Sequence, residues 1–319
     1  LINKAAGYLT SELEVYAGDR VAILSMNRLD YVILFFAIQR LGAIMLPLNY
    51  RLAAPEIDFQ LDNSGAQILI YEEDFGETVS KLRTAVNTFD FTAVMEGVHQ
   101  KTEQNYTHVG EFETPCMILY TSGTTGLPKG TELPPTMFAG GTTMTEHIEG
   151  LSQSGFAEFG THLVVGPMYH TGPLSGMRLL TLGIPSVILG RFDAETTLAT
   201  IDEYKTESAL MVPTHFVRML ALPDDVKKKY DVSSMQYAAH TGAKCPVDVM
   251  REMIDWWGPV FRDAYGASEV GTVCAITSEE WLENPGSVGR AIPPFTAYVL
   301  DEDLNELPAG TEGRLFFRD

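Results

Sequence analysis

The 319-residue chain has few cysteines, few cations and no long apolar run. Its three cysteines, Cys116, Cys245 and Cys274, are scattered, with no Cys-x-x-Cys and no Cys/His cluster. That excludes a disulfide framework and a zinc site, and predicts a reducing, cytoplasmic setting in which each cysteine is a small core residue. Lys and Arg number 22 against 42 Asp and Glu, a formal charge of −20. Nucleic-acid binding rests on neutralising phosphates with cations, so this balance argues against it, and equally against anionic membrane surfaces. No run approaches the roughly 18 apolar residues of a membrane span. The longest, residues 31–38, suits a buried helix. Residues 1–7 lack the basic start and apolar block of a secretion signal, and Leu1 is not an initiator Met, so the natural N-terminus is expected to lie upstream. Two phosphate signatures are also missing. There is no Gly-x4-Gly-Lys-[Ser/Thr], and no Gly-x-Gly-x-x-Gly follows a strand, so a Walker-type NTPase and a dinucleotide fold lack support.

What the chain does contain is alternation. Short apolar runs at 21–24, 43–46, 67–71, 164–166, 186–189 and 209–212 read as strands. Between them, helical patterns cover 29–41, 54–62 and 73–86, and Asp193 is placed to cap a further helix. Strands alternating with helices imply a layered α/β architecture with mostly parallel sheets. Past Gly289 the texture changes, and 297–300 and 313–317 read as antiparallel strands without a helix between them. Loops are expected over 100–113 and 151–160, and the lysines at 227–229 read as a solvated helix face.

The densest chemistry lies in Tyr120-Thr-Ser-Gly-Thr-Thr-Gly-Leu-Pro-Lys-Gly130. An apolar run, Cys116-Met-Ile-Leu-Tyr120, leads into it. Gly123 and Gly126 let backbone N–H groups turn toward a ligand, Thr121, Ser122, Thr124 and Thr125 offer hydroxyls, and Lys129 brings a positive charge. Such a loop is built for an anion, and polyphosphate is the expected guest. A second cluster, Asp263-Ala-Tyr-Gly-Ala-Ser-Glu269, is read as a turn after the apolar approach at 259–261. Its Tyr265 can stack on a base, its Ser268 can reach a phosphate, and its Glu269 can hold Mg2+ through oxygen.

The Thr121–Gly130 stretch closely resembles the phosphate loop of the adenylate-forming, AMP-binding enzymes, and within them most resembles acyl-CoA synthetases. Tyr265-Gly-Ala-Ser-Glu269 is similar to the family's Tyr-Gly-x-Thr-Glu, with Ser268 keeping the hydroxyl. Ala238-Ala-His-Thr-Gly-Ala-Lys244 resembles its small-residue loop beside adenine and the acyl group, although His240 and Lys244 depart from the usual residues. Pro167-Met-Tyr-His170 resembles the Pro-Leu-[Phe/Tyr]-His segment beside the carboxylate substrate, and Pro285-Gly-Ser-Val-Gly-Arg290 a structural Gly-x-x-Gly segment.

The resemblance implies ATP-dependent activation of a carboxylic acid of fatty or aryl type, with Mg2+, followed by transfer to coenzyme A. It assigns Lys129, His170 and Glu269 to catalysis, with Glu269 on the metal. Nucleotide contacts fall to Thr121, Ser122, Gly123, Thr124, Thr125, Gly126, Lys129, Thr241, Gly242, Ala243, Asp263, Ala264, Tyr265, Gly266 and Ser268. It places 27–150 in one α/β lobe, 1–26 with 160–290 in a second, and 291–319 at the start of a β-rich lobe. The family's C-terminal domain, with its catalytic lysine, is expected beyond Asp319, so this span alone is expected to turn over slowly. A further departure follows the phosphate loop. Thr131-Glu-Leu-Pro-Pro135 replaces the usual apolar pair and Thr-His, which is expected to displace the helix start there. The Asp that marks amino-acid-activating relatives is missing near Tyr237-Ala-Ala, which argues against an amino acid as the substrate. An acid–CoA ligase and a nucleotide- or acyl-binding module without turnover both stay open at this point, with an unrelated phosphate-loop NTPase disfavoured.

Overall fold

The computed structural model describes residues 1–103, 114–121, 128–134, 143–267 and 270–318. The chain divides into two compact units, the first comprising 1–158 with 162–192, the second 159–161 with 193–319.

In the first unit a sheet runs in the order β4 (Asn87–Asp90), β3 (Ile68–Tyr71), β1 (Arg20–Leu24), β2 (Ile44–Pro47), β5 (Met117–Thr121), β6 (Lys129–Leu133). All neighbours are parallel except β5 and β6. Val21–Leu24 of β1 and all of β2 are apolar and buried at every position because both faces are covered, as parallel sheets require. On β1, Val21 and Ile23 enter the core formed with helices Ile2–Leu13, Leu29–Arg40 and Phe91–Gln100, while Ala22 and Leu24 face that of helix Ala54–Ser64. The same unit holds the parallel pair β7 (His162–Val164) and β8 (Ser186–Ile188).

In the second unit β9 (Ser208–Met211), β10 (Tyr237–His240) and β11 (Phe261–Ala267) are parallel, and β12 (Gly271–Thr277) and β13 (Arg290–Ala291) continue antiparallel. Helices Ala194–Tyr204, Pro213–Leu220 and Val247–Trp257 belong to it. Asp193 caps the first of these, accepting from the Thr196 N–H at 2.9 Å, as its position in the sequence predicts. The last strands, β14 (Thr296–Leu300) and β15 (Arg314–Arg318), pair antiparallel as expected. Two mostly parallel α/β sheets and a small antiparallel pair are thus the architecture.

Two expectations need correction. Residues 1–26 do not join 160–290, because β1 is hydrogen-bonded between β2 and β3 in the first sheet. The helix expected over 73–86 reduces to a short turn and Gly76–Val79. There Asp58 Oδ1 accepts from the N–H groups of both Arg83 and Thr84 at 2.9 Å, capturing donors that a longer helix would need. After Gly130 the backbone continues as the antiparallel strand β6 as far as Leu133, in line with the displaced helix start expected there.

Candidate active site

Of the phosphate loop, Thr121 and Lys129 are described, while Ser122, Gly123, Thr124, Thr125 and Gly126 lie outside the described residues. Thr121 ends β5 and Lys129 begins β6, and the two are register partners across the hairpin. A hydroxyl and an ammonium group therefore flank the loop between them, and the Lys129 side chain is solvent-exposed. Tyr120 braces this mouth. Its ring lies over Gly130, where an added Cβ would sit 3.1 Å from Cζ, and its hydroxyl donates to Asn63 Oδ1 at 2.6 Å. A side chain at Gly130 would press on that ring, which would have to give by a few tenths of an ångström.

His170 caps helix Thr171–Gly176 at the end of the turn closed by its own N–H on the Pro167 carbonyl, 3.1 Å away. The ring stands 4.5 Å from that of Tyr169, which meets Tyr50 edge-on at 5.3 Å. Tyr50 in turn stacks on Phe75 at 5.8 Å and lies under Arg51 at 5.7 Å. Partial desolvation, then the Arg51 charge, hold the His170 imidazole below its usual pKa, so at neutral pH it is a neutral group with one donor and one acceptor. Sequence reasoning missed Tyr50 and Arg51. Their place just after β2 was the available signal, since ligands gather at the C-terminal ends of parallel strands.

In the second unit, Asp263, Ala264, Tyr265 and Gly266 do not form the expected turn. They lie on β11, which β12 extends by antiparallel pairing as far as Ala267 opposite Gly271. The register slips between Tyr265 and Gly266. Such a bulge re-aims side chains, and Tyr265 is 43% exposed beside it. Gly266 admits no side chain, because a Cβ would come within 1.9 Å of the Gly271 carbonyl oxygen. Ser268 and Glu269 lie outside the described residues.

His240 ends β10 and is the register partner of Asp263. Its Nδ1 stands 3.7 Å from Asp263 Oδ1, and its ring is completely buried, edge-on to Phe216 at 5.5 Å. Neither ring nitrogen has a hydrogen-bond partner among the described residues. Burial lowers the His240 pKa to about 4 and raises that of Asp263 to about 6, so the pair at neutral pH is a neutral imidazole beside a carboxylate. At a separation too long for a hydrogen bond, desolvation outweighs attraction. Thr241, Gly242 and Ala243 follow directly. The Thr241 N–H donates to the Met211 carbonyl at 3.3 Å, and Gly242 takes φ +84°, a conformation that favours glycine. The sequence thus correctly marked a small-residue turn at a strand end. It gave no sign of the His240–Asp263 pairing, which depends on sheet register.

A model of the AMP-binding enzyme family matches residues 1–319. The chain belongs to that family. A feruloyl-CoA synthase of Amycolatopsis is 31% identical over 306 residues, covering 94% of this chain and 60% of the relative. A fatty acid–[acyl-carrier-protein] ligase of Streptomyces coeruleorubidus is 28% identical, covering 93% of this chain and 59% of the relative. The chain thus spans about three fifths of the curated relatives it matches. Among solved structures, the inhibitor-bound N-terminal domain of FACL13 from Mycobacterium tuberculosis superposes with a TM-score of 0.85 at 25% identity, covering 99% of this chain and 79% of that one. An anthranilate CoA ligase in complex with anthranoyl-AMP gives the same TM-score at 22% identity, covering 99% of this chain and 62% of that one, and shows the shared fold.

Proposed function

We propose that the protein containing this chain joins a carboxylic acid to the α-phosphate of ATP, expels pyrophosphate, and passes the acyl group to coenzyme A. The observation that carries this is the hairpin pairing Thr121 with Lys129 at the mouth of a glycine- and hydroxyl-rich loop, in a chain whose whole length matches the AMP-binding family. The chemical difficulty is that two anions must meet. Lys129 brings positive charge to the phosphates, and Thr121 with the loop hydroxyls and N–H groups holds them in line. Tyr265 offers a ring for the adenine, and the Asp263 carboxylate accepts from donors on the base. Thr241, Gly242 and Ala243 give a surface without bulk against a flat ligand. His170, neutral and flanked by Tyr169, borders the acid. Mg2+, which the family implies, would be held by Glu269, and the oxygen chemistry of a carboxylate suits that ion.

The relatives' names, feruloyl-CoA synthase and fatty acid–[acyl-carrier-protein] ligase, support a fatty or aryl acid as substrate. The test is pyrophosphate release from ATP by the full-length protein, with and without a panel of aryl and medium-chain acids. Release that depends on one acid class, followed by its CoA thioester, is the expected result. Nucleotide binding without acid-dependent release would favour a non-catalytic nucleotide-binding module instead.

A further inference from the structure

Asn27 follows β1 and is only 7% exposed. Its side-chain Nδ2 donates to the carbonyl oxygens of Gly166 at 2.8 Å and Leu189 at 2.9 Å. Its Oδ1 accepts from the Met168 N–H at 2.7 Å, and its own backbone N–H donates to the Gly190 carbonyl at 3.2 Å. Three of the four bonds an amide side chain can make are therefore filled, in a place that needs a donor and an acceptor together. No apolar residue meets that need. An aspartate presents only acceptors to the two carbonyls.

The anchorage of Asn27 is itself rigid. Glu72 Oε2 accepts from the Met26 N–H at 2.9 Å and from the Ser25 hydroxyl at 3.0 Å. Arg28 bridges to Asp30 at 2.9 Å and lies over the Phe91 ring at 4.6 Å. What Asn27 grips is the root of Pro167-Met-Tyr-His170, one bond on either side of Pro167. Gly166 is held closely from the other side as well, since a Cβ there would lie 2.7 Å from Pro173 Cγ.

We propose that Asn27 is a positioning residue that fixes Tyr169 and His170 in place by clamping Gly166 and Met168. The clamp stands on geometry alone. Its kinetic consequence rests on the reading above, in which His170 borders the acid. The experiment compares Asn27→Ala, Asn27→Ser and His170→Ala in the full-length protein.

The first readout is the imidazole titration of His170 by NMR, which needs no turnover. In folded Asn27→Ala the midpoint rises toward the ordinary histidine value, because a released segment loses the desolvation and the Arg51 proximity that depress it. An unchanged midpoint in the folded variant overturns the proposal. Where Asn27→Ala does not fold, Asn27→Ser supplies the same readout, because its short hydroxyl cannot hold both carbonyls and adds no charge near the imidazole.

The second readout is kinetic. Asn27→Ala raises the acid KM about tenfold and leaves the ATP KM within about twofold, and adding it to His170→Ala costs little more, as expected of residues that act as one unit. Acid and ATP KM rising together overturns the proposal. An acid KM unmoved by His170→Ala would remove the substrate role of His170, and the titration would still decide the clamp.

Discussion

The hairpin mouth of β5 and β6 and the strand pair β10–β11 each present polar groups at a strand end, but in opposite surroundings. At the hairpin, Lys129 is exposed and its pairing with Thr121 is set by backbone register alone. At β10–β11, His240 is fully enclosed and Asp263 nearly so, and neither carries its ordinary pKa. An exposed cation costs the fold almost nothing and is free to follow a ligand. A buried titratable pair ties ligand chemistry to stability. Substitutions should therefore separate function from folding at the first place and entangle them at the second.

The largest expected effect is at Lys129. Lys129→Ala should weaken MgATP binding by roughly tenfold to a hundredfold, the usual worth of a charge-assisted hydrogen bond. Thermal stability should hardly move, because exposed substitutions away from special contacts stay within about 0.5 kcal/mol. Calorimetry of nucleotide binding alongside thermal unfolding measures both. Unchanged affinity would remove Lys129 from the phosphate site.

The buried pair predicts two opposing pH dependences of stability. The Asp263 pKa rises on folding from 3.8 to about 6, so its contribution is complete below pH 3.8 and is lost as pH climbs through about 6. The His240 pKa falls on folding from 6.5 to about 4, so its contribution is complete above pH 6.5 and is lost as pH drops through about 4. In the wild type the two slopes largely cancel between these limits. His240→Gln should expose the first, with the unfolding midpoint falling as pH rises from 4 to 6. Asp263→Asn should expose the second, with the midpoint rising over the same range. Denaturant titrations at several pH values would check this, and parallel curves for both variants would show that the two groups do not titrate as buried neighbours.

The same contrast explains what could be read in advance. Strands such as β1 and β3 were legible because unbroken apolar runs such as 21–24 and 68–71 have few homes other than a sheet covered on both faces. The stretch from Thr121 to Lys129 stands out because its chemistry is contiguous in sequence, and of it the structure describes the ends, which are register partners. The helix expected over 73–86 failed because the deciding atom, the Asp58 carboxylate, comes from 25 residues upstream of Arg83. The turn expected at Asp263 failed because its extension as a strand needs a partner, β12, that only the fold supplies. His240 facing Asp263 and Asn27 gripping Gly166 are pairings of the same kind. Local pattern is written in the chain, while register and long-range hydrogen bonds exist only once the sheets have formed.

The smallest effect returns to the hairpin. Tyr120 is half-buried, and burial raises its hydroxyl pKa. Its ring packs over Gly130 and against Phe59, and its hydroxyl donates to Asn63 Oδ1 at 2.6 Å and lies 3.3 Å from the Gln60 carbonyl oxygen. Tyr120→Phe keeps the ring contacts and removes both hydroxyl contacts. Asn63 lies at the solvent-facing end of its helix, so water replaces the lost donor, and the cost should sit at the low end for a net hydrogen bond, about 0.5 kcal/mol. Tyr120→Ala also strips the ring from Gly130 and from the edge of Phe59, 6.3 Å away between centroids. That loss should reach about 2–3 kcal/mol, toward the lower end of aromatic truncations because the site is not fully buried. If the hairpin is braced by the ring, Tyr120→Phe should bind MgATP like the wild type while Tyr120→Ala binds several-fold more weakly. Denaturant unfolding and calorimetry on the two variants measure the difference. Equal losses in both would mean that the hydroxyl bridge to Asn63, rather than packing on Gly130, holds the mouth of the loop.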